Sequence, residues 1–423
     1  MQSFNVDLHI HSPYSISVSK NMTIPYLVTG SESKGIDILG TGDATQPDWL
    51  GHLKRTLVKK NDKLTYKNTT FVLTVEIEDM ESIHHLVLLP SFESVENLRT
   101  SLCNSSPNID SRWGGRPRVN LSAEEIAGFV RDVGGIIGPA HAFTPFRAIF
   151  REGKYDSITD CYQSEAPHIH FIELGLSADS KIADYIPELR KLTYITSSDA
   201  HSPSPDKLGR EFIRFEMESP TFEELKLAII REKGRRPTLN IGLHPKLGKY
   251  YLSFCSKCRR TLVVKKDDAH PTSDEVNIYI SSSSEADLAR LLSDIHKRQV
   301  NCPVDGKPLR LGVRDRVKML GEVTSKTPSH RPLYLHIPPL LDMIVPAIGV
   351  KSKSTKSART LYQKMMALFG SEIDILTNTS ISDIEKVNSR VSKMIDAYRQ
   401  DEVGYVPGGG GRYGTLIAPW NSE

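Results

Sequence analysis

Short apolar runs that break off in a His, Asp or Glu recur along the first half of the chain, and they constrain its fold more than any other feature. In the first run, Val6, Leu8 and Ile10 alternate with Asp7, His9 and His11, the period of a half-buried strand. On such a strand His9 and His11 point to one face and can chelate a divalent metal together. The same ending follows at residues 36–43 (Asp43), 71–76 (Glu76), 136–141 (His141), 171–173 (Glu173) and 194–201 (Asp199 and His201). Histidines buried independently in a core would not gather at strand ends. The repetition points to strands whose ends meet around a multinuclear metal site.

Helix signals lie between these runs. Residues 23–34 carry Pro25 early and are followed by Gly35. Ser122-Ala123-Glu124-Glu125 is a capping box ahead of Ile126, Phe129, Val130 and Val133, and Gly134-Gly135 ends that helix. Thr221-Phe222-Glu223-Glu224 opens another helix, expected over 221–233, and the polar, Arg-rich segment 100–118 reads as a long loop. Strands alternating with helices predict a parallel sheet or a β/α barrel, whose chemistry sits at the C-terminal strand ends.

The ordered set His9-x-His11, Asp43, Glu76, Ile83-His84-His85-Leu86, His141 and Ser198-Asp199-Ala200-His201 resembles the motifs of the PHP (polymerase and histidinol phosphatase) domain over roughly residues 1–240. That resemblance implies a distorted β/α barrel and metal-dependent phosphoester hydrolysis. It places His9, His11, Glu76 and Asp199 around one metal and Glu76, His84 and His141 around a second, with Asp43 and His201 as further ligands. Asp199, Glu76 and His201 are then the catalytic set, with two or three divalent ions (Zn, Mn or Mg). Where the family has Thr-Asp-His this chain reads Gly42-Asp43-Ala44, and Ser17 also stands where a histidine is expected, so a third metal lacks two of its ligands.

Hydrophobic content of 39% and charged content of 25% are those of a soluble globular protein, and 423 residues exceed one ordinary core. No apolar run is long enough to cross a bilayer, and the first strand begins at the N-terminus without a secretory signal. An odd five cysteines, two of them as Cys-x-x-Cys, suit a reducing compartment and a metal. A cytoplasmic, nucleoid-associated protein is expected, with no membrane partner. Net charge is +3, but residues 1–240 hold 27 Lys+Arg against 32 Asp+Glu, and residues 241–423 hold 27 against 19. The acidic part carries the candidate ligands; the basic part suits a polyanion.

After Arg235-Arg236-Pro237 the character changes. Cys255-x-x-Cys258 resembles a zinc-ribbon knuckle whose mate is Cys302-Pro303-Val304-Asp305, with Asp replacing the last cysteine; a carboxylate can complete such a zinc site. Ser281 to Ser284 reads as a turn before a helix over 285–296. Apolar spacing of three and four residues predicts helices over 338–348, 358–369 and 381–398. Lys351, Lys353 and Lys356 lie in a Ser/Thr/Lys stretch ahead of one of them, a phosphate cradle by composition. Gly404 to Gly414 reads as a flexible loop in which Arg412 sits between Tyr405 and Tyr413, able to touch a nucleic-acid backbone or stack on a base.

The expected layout is therefore a PHP-type barrel (1–240), a zinc-ribbon-like module (241–312) and a basic helical DNA-binding domain (313–423). This order resembles the endonuclease Q family, with local matches at Gly138-Pro139-Ala140-His141-Ala142-Phe143-Thr144-Pro145 and Glu173-Leu174-Gly175-Leu176-Ser177-Ala178-Asp179. The resemblance implies a DNA-repair endonuclease that cuts the phosphodiester 5′ of a deaminated base (hypoxanthine, uracil, xanthine) or an abasic site, in double- or single-stranded DNA. A small-molecule phosphatase of the histidinol-phosphate type explains the barrel but gives the basic half no role. A DNA-binding scaffold with a dead barrel would not need so full a ligand set.

Overall fold

The computed structural model describes residues 1–264, 276–280, 284–322 and 324–418. It is a mixed α/β architecture that ends in a group of helices. In chain order its first part runs β1 (Gln2–Asp7), α1 (Ile24–Lys34), β2 (Ile38–Gly40), α2 (Pro47–Thr56), β3 (Val58–Lys60), β4 (Lys63–Tyr66), β5 (Thr69–Glu78), β6 (His84–Leu89), α3 (Phe92–Leu102), α4 (Ala123–Asp132), β7 (Ile136–Pro139), α5 (Ile158–Tyr162), β8 (Phe171–Glu173), α6 (Ser180–Ala183), β9 (Thr193–Ile195), β10 (Phe212–Met217), α7 (Phe222–Ile230) and β11 (Arg236–Gly242). Ser122 and Glu125 form the expected capping box on α4. At α7 Thr221 caps as expected, but the Glu224 carboxylate turns away to accept the Glu218 N–H.

Strands β1, β2 and β5 are parallel neighbours, β6 runs antiparallel to β5, and β7 antiparallel to β6. The short parallel pair β8 and β9 continues from there. Gly138 permits the approach of β7 to β8, since a Cβ on it would lie 2.4 Å from the Phe171 carbonyl oxygen. A parallel bridge from Ala200 to Ile10 returns the path to the end of β1. Val6, Ile38, Val72, Leu86, Ile136, Phe171 and Ile195, one from each of these seven strands, share one apolar cluster with residues of β10 and α7.

Because β6 runs the other way, its first residue lies at the same rim as the last residues of its neighbours. His84 therefore reaches the rim from the start of a strand, whereas His9, His11, Asp43, Glu76, His141, Glu173, Asp199 and His201 reach it from strand ends.

The second part comprises β12 (Phe254–Cys255), β13 (Thr261–Val263), β14 (Asn277–Tyr279), α8 (Glu285–His296), β15 (Leu309–Arg310), α9 (Val313–Leu320), β16 (Leu333–His336), α10 (Leu340–Ala347), α11 (Lys356–Phe369), α12 (Glu372–Thr377), α13 (Ile381–Val387), α14 (Ser389–Arg399), β17 (Gly404–Val406) and β18 (Thr415–Ile417). Strands β14, β13, β12 and β15 form a small separate sheet. Residues 281–283 of the expected serine turn lie outside the described residues; Ser284 caps α8.

Three expectations change here. The helix expected over 381–398 is two helices, because Asn388 leaves helical geometry at φ −160° and caps the second. The helix α12 was not foreseen. Gly404 to Gly414 is not a flexible loop: β17 pairs with β18, and Gly408 to Gly410 are buried against the knuckle. A Cβ on Gly410 would lie 1.8 Å from the Arg259 carbonyl oxygen, and one on Gly409 2.2 Å from Thr261 Cγ2. The glycines are there for close approach rather than for freedom.

The C-terminal elements are welded to the first part. Strand β16 extends the main sheet by pairing parallel with β11. The apolar cluster that holds α1 and α2 also contains Leu340, Ile344, Met365, Ile375, Met394 and Tyr398. Lys34 of α1, 2% exposed, donates to Glu372 of α12 at 2.6 Å, and Glu372 also accepts the Leu340 N–H and the Tyr362 hydroxyl.

Candidate metal centre

At the rim, backbone conformation is given up for side-chain placement. Asp43, His141 and Asp199 all have positive φ (49°, 30° and 47°), a region non-glycine residues avoid and one that marks functional strain. Each lies just beyond a strand end, where the turn aims His141 and Asp199 into the centre and Asp43 at the outward nitrogen of His11.

Two groups of donors converge there: His9, His11 and Asp199, and Glu76, His84 and His141. Glu76 stands between them. Its carboxylate is 2.7 Å from His84 Nδ1, 2.9 Å from His141 Nε2, 3.4 Å from His11 Nε2 and 3.6 Å from His9 Nε2. Asp199 Oδ1 lies 3.2 Å from His11 Nε2 and 3.9 Å from His9 Nε2. His9 Nε2 and Asp199 Oδ1 are buried without a hydrogen-bond partner. Orphaned polar atoms of this kind are costly unless something else occupies the space between them.

The outward nitrogens are held by carboxylates. Glu173 accepts His9 Nδ1 at 2.9 Å and the His141 N–H at 2.8 Å. Asp43 takes His11 Nδ1 at 3.0 Å and is itself bound by the Ser12 N–H, the Ser12 hydroxyl and the Ser15 hydroxyl. Glu78 takes His84 Nε2 at 3.1 Å and is paired with Arg147. Such partners fix the tautomer and aim of a ligating imidazole. Asp43, a ligand in the sequence-based expectation, thus faces the back of His11. His201 stays at the rim, its side chain 40% exposed, with Nδ1 on the Asp199 carbonyl at 2.9 Å and its ring edge-on to His11 at 4.8 Å. Glu173, Glu78 and Arg116 were absent from the expected set. Glu173 had a signal, since it ends the run 171–173; Arg116, 2.9 Å from Glu76, had none beyond its Arg-rich loop.

This density of buried carboxylate controls the protons. Burial alone would lower the His9 pKa, but Glu173, Glu76 and Asp199 outweigh it and hold it up at about 9. His11 and His141 are raised in the same way against their burial, by Asp43 and Glu76 respectively. Burial would raise Asp199 and Glu76, but the histidines hold both below the carboxylate range. His9, His11 and His141 therefore hold protons that a divalent cation would displace, and Glu76 and Asp199 carry negative charge that would attract one.

Beneath the rim, Glu211 is fully buried, and one of its oxygens lacks a partner; burial raises its pKa to about 8. A native pKa above the ordinary 4.5 means that the neutral acid stabilises the fold at low pH, and that this stabilisation is lost as pH rises from about 4.5 through about 8. Glu211→Gln should therefore match the wild type at pH 4.5 and exceed it at pH 9, by on the order of 4–5 kcal/mol. Urea unfolding of the metal-free proteins at both pH values checks this; an equal difference at the two would refute it.

In the second candidate site Cys255, Cys258, Cys302 and Asp305 offer ligand atoms all within 4.8 Å of one another. Cys258 Sγ is 3.7 Å from Cys302 Sγ, and Cys255 Sγ is 3.3 Å from Asp305 Oδ2. Burial pushes the Cys255 thiol up to about 12. Of the four basic residues expected on DNA, Lys351, Lys356 and Arg412 are exposed. Lys353 is not available as a free cation: Asp342 at 2.7 Å and Asp206 at 3.3 Å hold it between the helical region and the loop that follows His201.

Residues 339–402 match a family described as the MJ0043 C-terminal domain. The Methanocaldococcus jannaschii protein MJ0043 is 35% identical over 303 residues, 70% of this chain; the chain spans about a third (33%) of that protein's length. The Bacillus subtilis protein YqxK is 28% identical over 98% of this chain and 100% of its own length. The crystal structure of the lesion-specific endonuclease PfuEndoQ from Pyrococcus furiosus superposes with a TM-score of 0.86 at 39% identity, over 99% of this chain and 96% of that one. An endonuclease Q complex with a 27-mer duplex bearing an abasic lesion at the active site superposes at 0.85, also at 39% identity, over 99% and 97%. With that identity sustained over nearly the whole of both chains, this protein belongs to the endonuclease Q family.

Proposed function

We propose that the protein is a lesion-specific DNA-repair endonuclease that hydrolyses the phosphodiester 5′ of a deaminated base (hypoxanthine, uracil or xanthine) or an abasic site. The observation that carries this reading is the pair of donor groups around Glu76, with His9 Nε2 and Asp199 Oδ1 buried and unsatisfied between them. Its family relatives include an endonuclease bound to abasic duplex DNA. Residues 1–240 act as a PHP-type barrel, 241–312 as a zinc-ribbon-like module and 313–423 as a basic helical domain on DNA.

The donor set fits divalent cations: imidazoles and carboxylates, outward nitrogens held by acids, and orphaned inner atoms. His9, His11 and Asp199 hold one ion and Glu76, His84 and His141 a second; with Ala44 and Ser17 nearby in place of histidines, a third is not supported by side chains of that kind. Bound there, the ions would supply a water of pKa about 7 and a positive clamp on the phosphate. The protein's own share is geometric. Glu173, Asp43 and Glu78 hold the outward ring nitrogens of His9, His11 and His84 and so aim the other nitrogen of each ring inward. Arg116, partly exposed beside Glu76, offers its guanidinium to a phosphate oxygen entering the centre. Cys255, Cys258, Cys302 and Asp305 hold a structural zinc in the knuckle.

A 5′-labelled duplex carrying one hypoxanthine tests the reading. A single metal-dependent nick on the 5′ side of the lesion is expected, and no nick in the undamaged duplex. Release of phosphate from a monoester with no nicking would overturn it. Replacing Lys351 and Lys356 with Gln should weaken binding to damaged and undamaged duplex about equally, because phosphate contacts carry no base information. The slope of log affinity against log salt should fall by about one unit per lost contact. An unchanged slope would remove both from the interface.

A further inference from the structure

Two loops beside the metal centre leave large aromatic rings open to solvent. Trp113 is 52% exposed and Phe146 47%. Phe146 is partly engaged, edge-on to Tyr250 at 5.3 Å. Trp113 has the Arg112 guanidinium over its ring at 5.5 Å and is otherwise half in water. Exposure of one ring is ordinary by itself; what distinguishes Trp113 is its place on a braced loop that also reaches Glu76.

The loop that presents Trp113 is braced. Gly114 N–H donates to Ser111 O, and Asn108 bonds the Arg116 carbonyl and the Arg118 N–H. Gly115 N–H donates to the Tyr14 carbonyl, and a Cβ on Gly115 would lie 2.5 Å from Asp43 Oδ2. Three residues beyond the indole, Arg116 touches Glu76. Trp113 therefore stands within a few residues' reach of the reacting phosphate, fixed to the same framework as the metal ligands. Arg112, Arg116 and Arg118 flank it in sequence, cations suited to backbone phosphates.

Resting on the endonuclease reading above, the geometry points to Trp113 as a wedge: its indole enters the base stack where the lesion nucleotide leaves it and fills the gap. A nucleotide cannot reach a buried centre while stacked, and an inserted apolar side chain offsets the lost stacking. The ring reads no base edge, so its contribution is the same for hypoxanthine, uracil and an abasic site.

The test compares a paired hypoxanthine duplex with the same lesion in a five-nucleotide bubble, where stacking is already lost. Trp113→Ala should slow nicking of the paired duplex by roughly 10- to 100-fold, the range of one base–aromatic stack. The bubble should lose no more than about threefold, and Trp113→Phe should stay near wild type on both. In an inactive Asp199→Asn background, lesion duplex should quench tryptophan emission, and Trp113→Phe should remove that quench. Equal losses on duplex and bubble would make Trp113 an ordinary contact, and no loss or no quench would leave it for another partner; each overturns the wedge. Failure of the wild type to nick either substrate would instead refute the endonuclease reading.

Discussion

Asp199→Asn should lower phosphodiester cleavage by about a thousandfold or more while lesion duplex still binds. The amide keeps the shape but removes a charge from the group of His9, His11 and Asp199, and charge stabilisation at such a centre is worth several kcal/mol at the transition state. Binding is expected to persist because, on the proposed reading, most phosphate contacts come from the basic half, which holds 27 Lys+Arg against 19 Asp+Glu. Asp43→Asn is the informative contrast. It leaves both candidate donor groups in place and alters only the hold on His11, so a loss of about 10- to 100-fold is expected. Single-turnover nicking and a gel-shift titration measure both terms. Activity of Asp199→Asn within a few-fold of wild type would remove it from the centre, and equal effects of the two variants would make Asp43 an inner ligand.

The largest stability effect should come from Glu372→Ala. Lys34 and Glu372 are 2% and 0% exposed, and the carboxylate also accepts the Leu340 N–H and the Tyr362 hydroxyl. Removing it leaves a buried ammonium with the Pro205 carbonyl at 3.1 Å, a backbone N–H and a phenol without their acceptor. A destabilisation of about 3–5 kcal/mol is expected from the broken ion pair. Lys34→Met with Glu372→Leu should recover most of it, because the pair's desolvation is then not incurred at all. Denaturant midpoints of the three proteins decide this. A loss below about 1 kcal/mol for Glu372→Ala would mean that the helical region does not depend on this anchor. The same coupling implies that a chain cut after residue 242 exposes the edge of β11 and the apolar face of α1, and is expected to aggregate rather than to fold alone.

How much of this was legible in the residues follows from the range of each signal. Period-two alternation at Val6 to Ile10 and the repeated strand endings are local, and they located His9, His11, Glu76, His141 and Asp199, which the structure brings together. The capping box at Ser122 and Glu125 is local too, and it is present. What these local signals left open was the role of each residue, which depended on pairing across the chain. Glu173 meets His9 across 164 residues and Asp43 meets His11 across 32, and no spacing rule distinguishes a carboxylate that touches a metal from one that touches its histidine. His84 reaches the centre only because β6 runs against β5, a direction set by strand pairing. Lys353 looked like a phosphate contact in a basic stretch until Asp206 and Asp342 folded onto it. The glycine-rich tail carried the composition of a mobile loop, and only the Arg259 carbonyl and Thr261 packed against it reveal why a side chain does not fit there. Hydrophobic period and chemistry-bearing residue types are written along the chain, so they determined the mixed α/β class and most of the residues that gather at the rim. Which charges end up facing each other is decided by contacts between distant segments, and those exist only once the chain has folded.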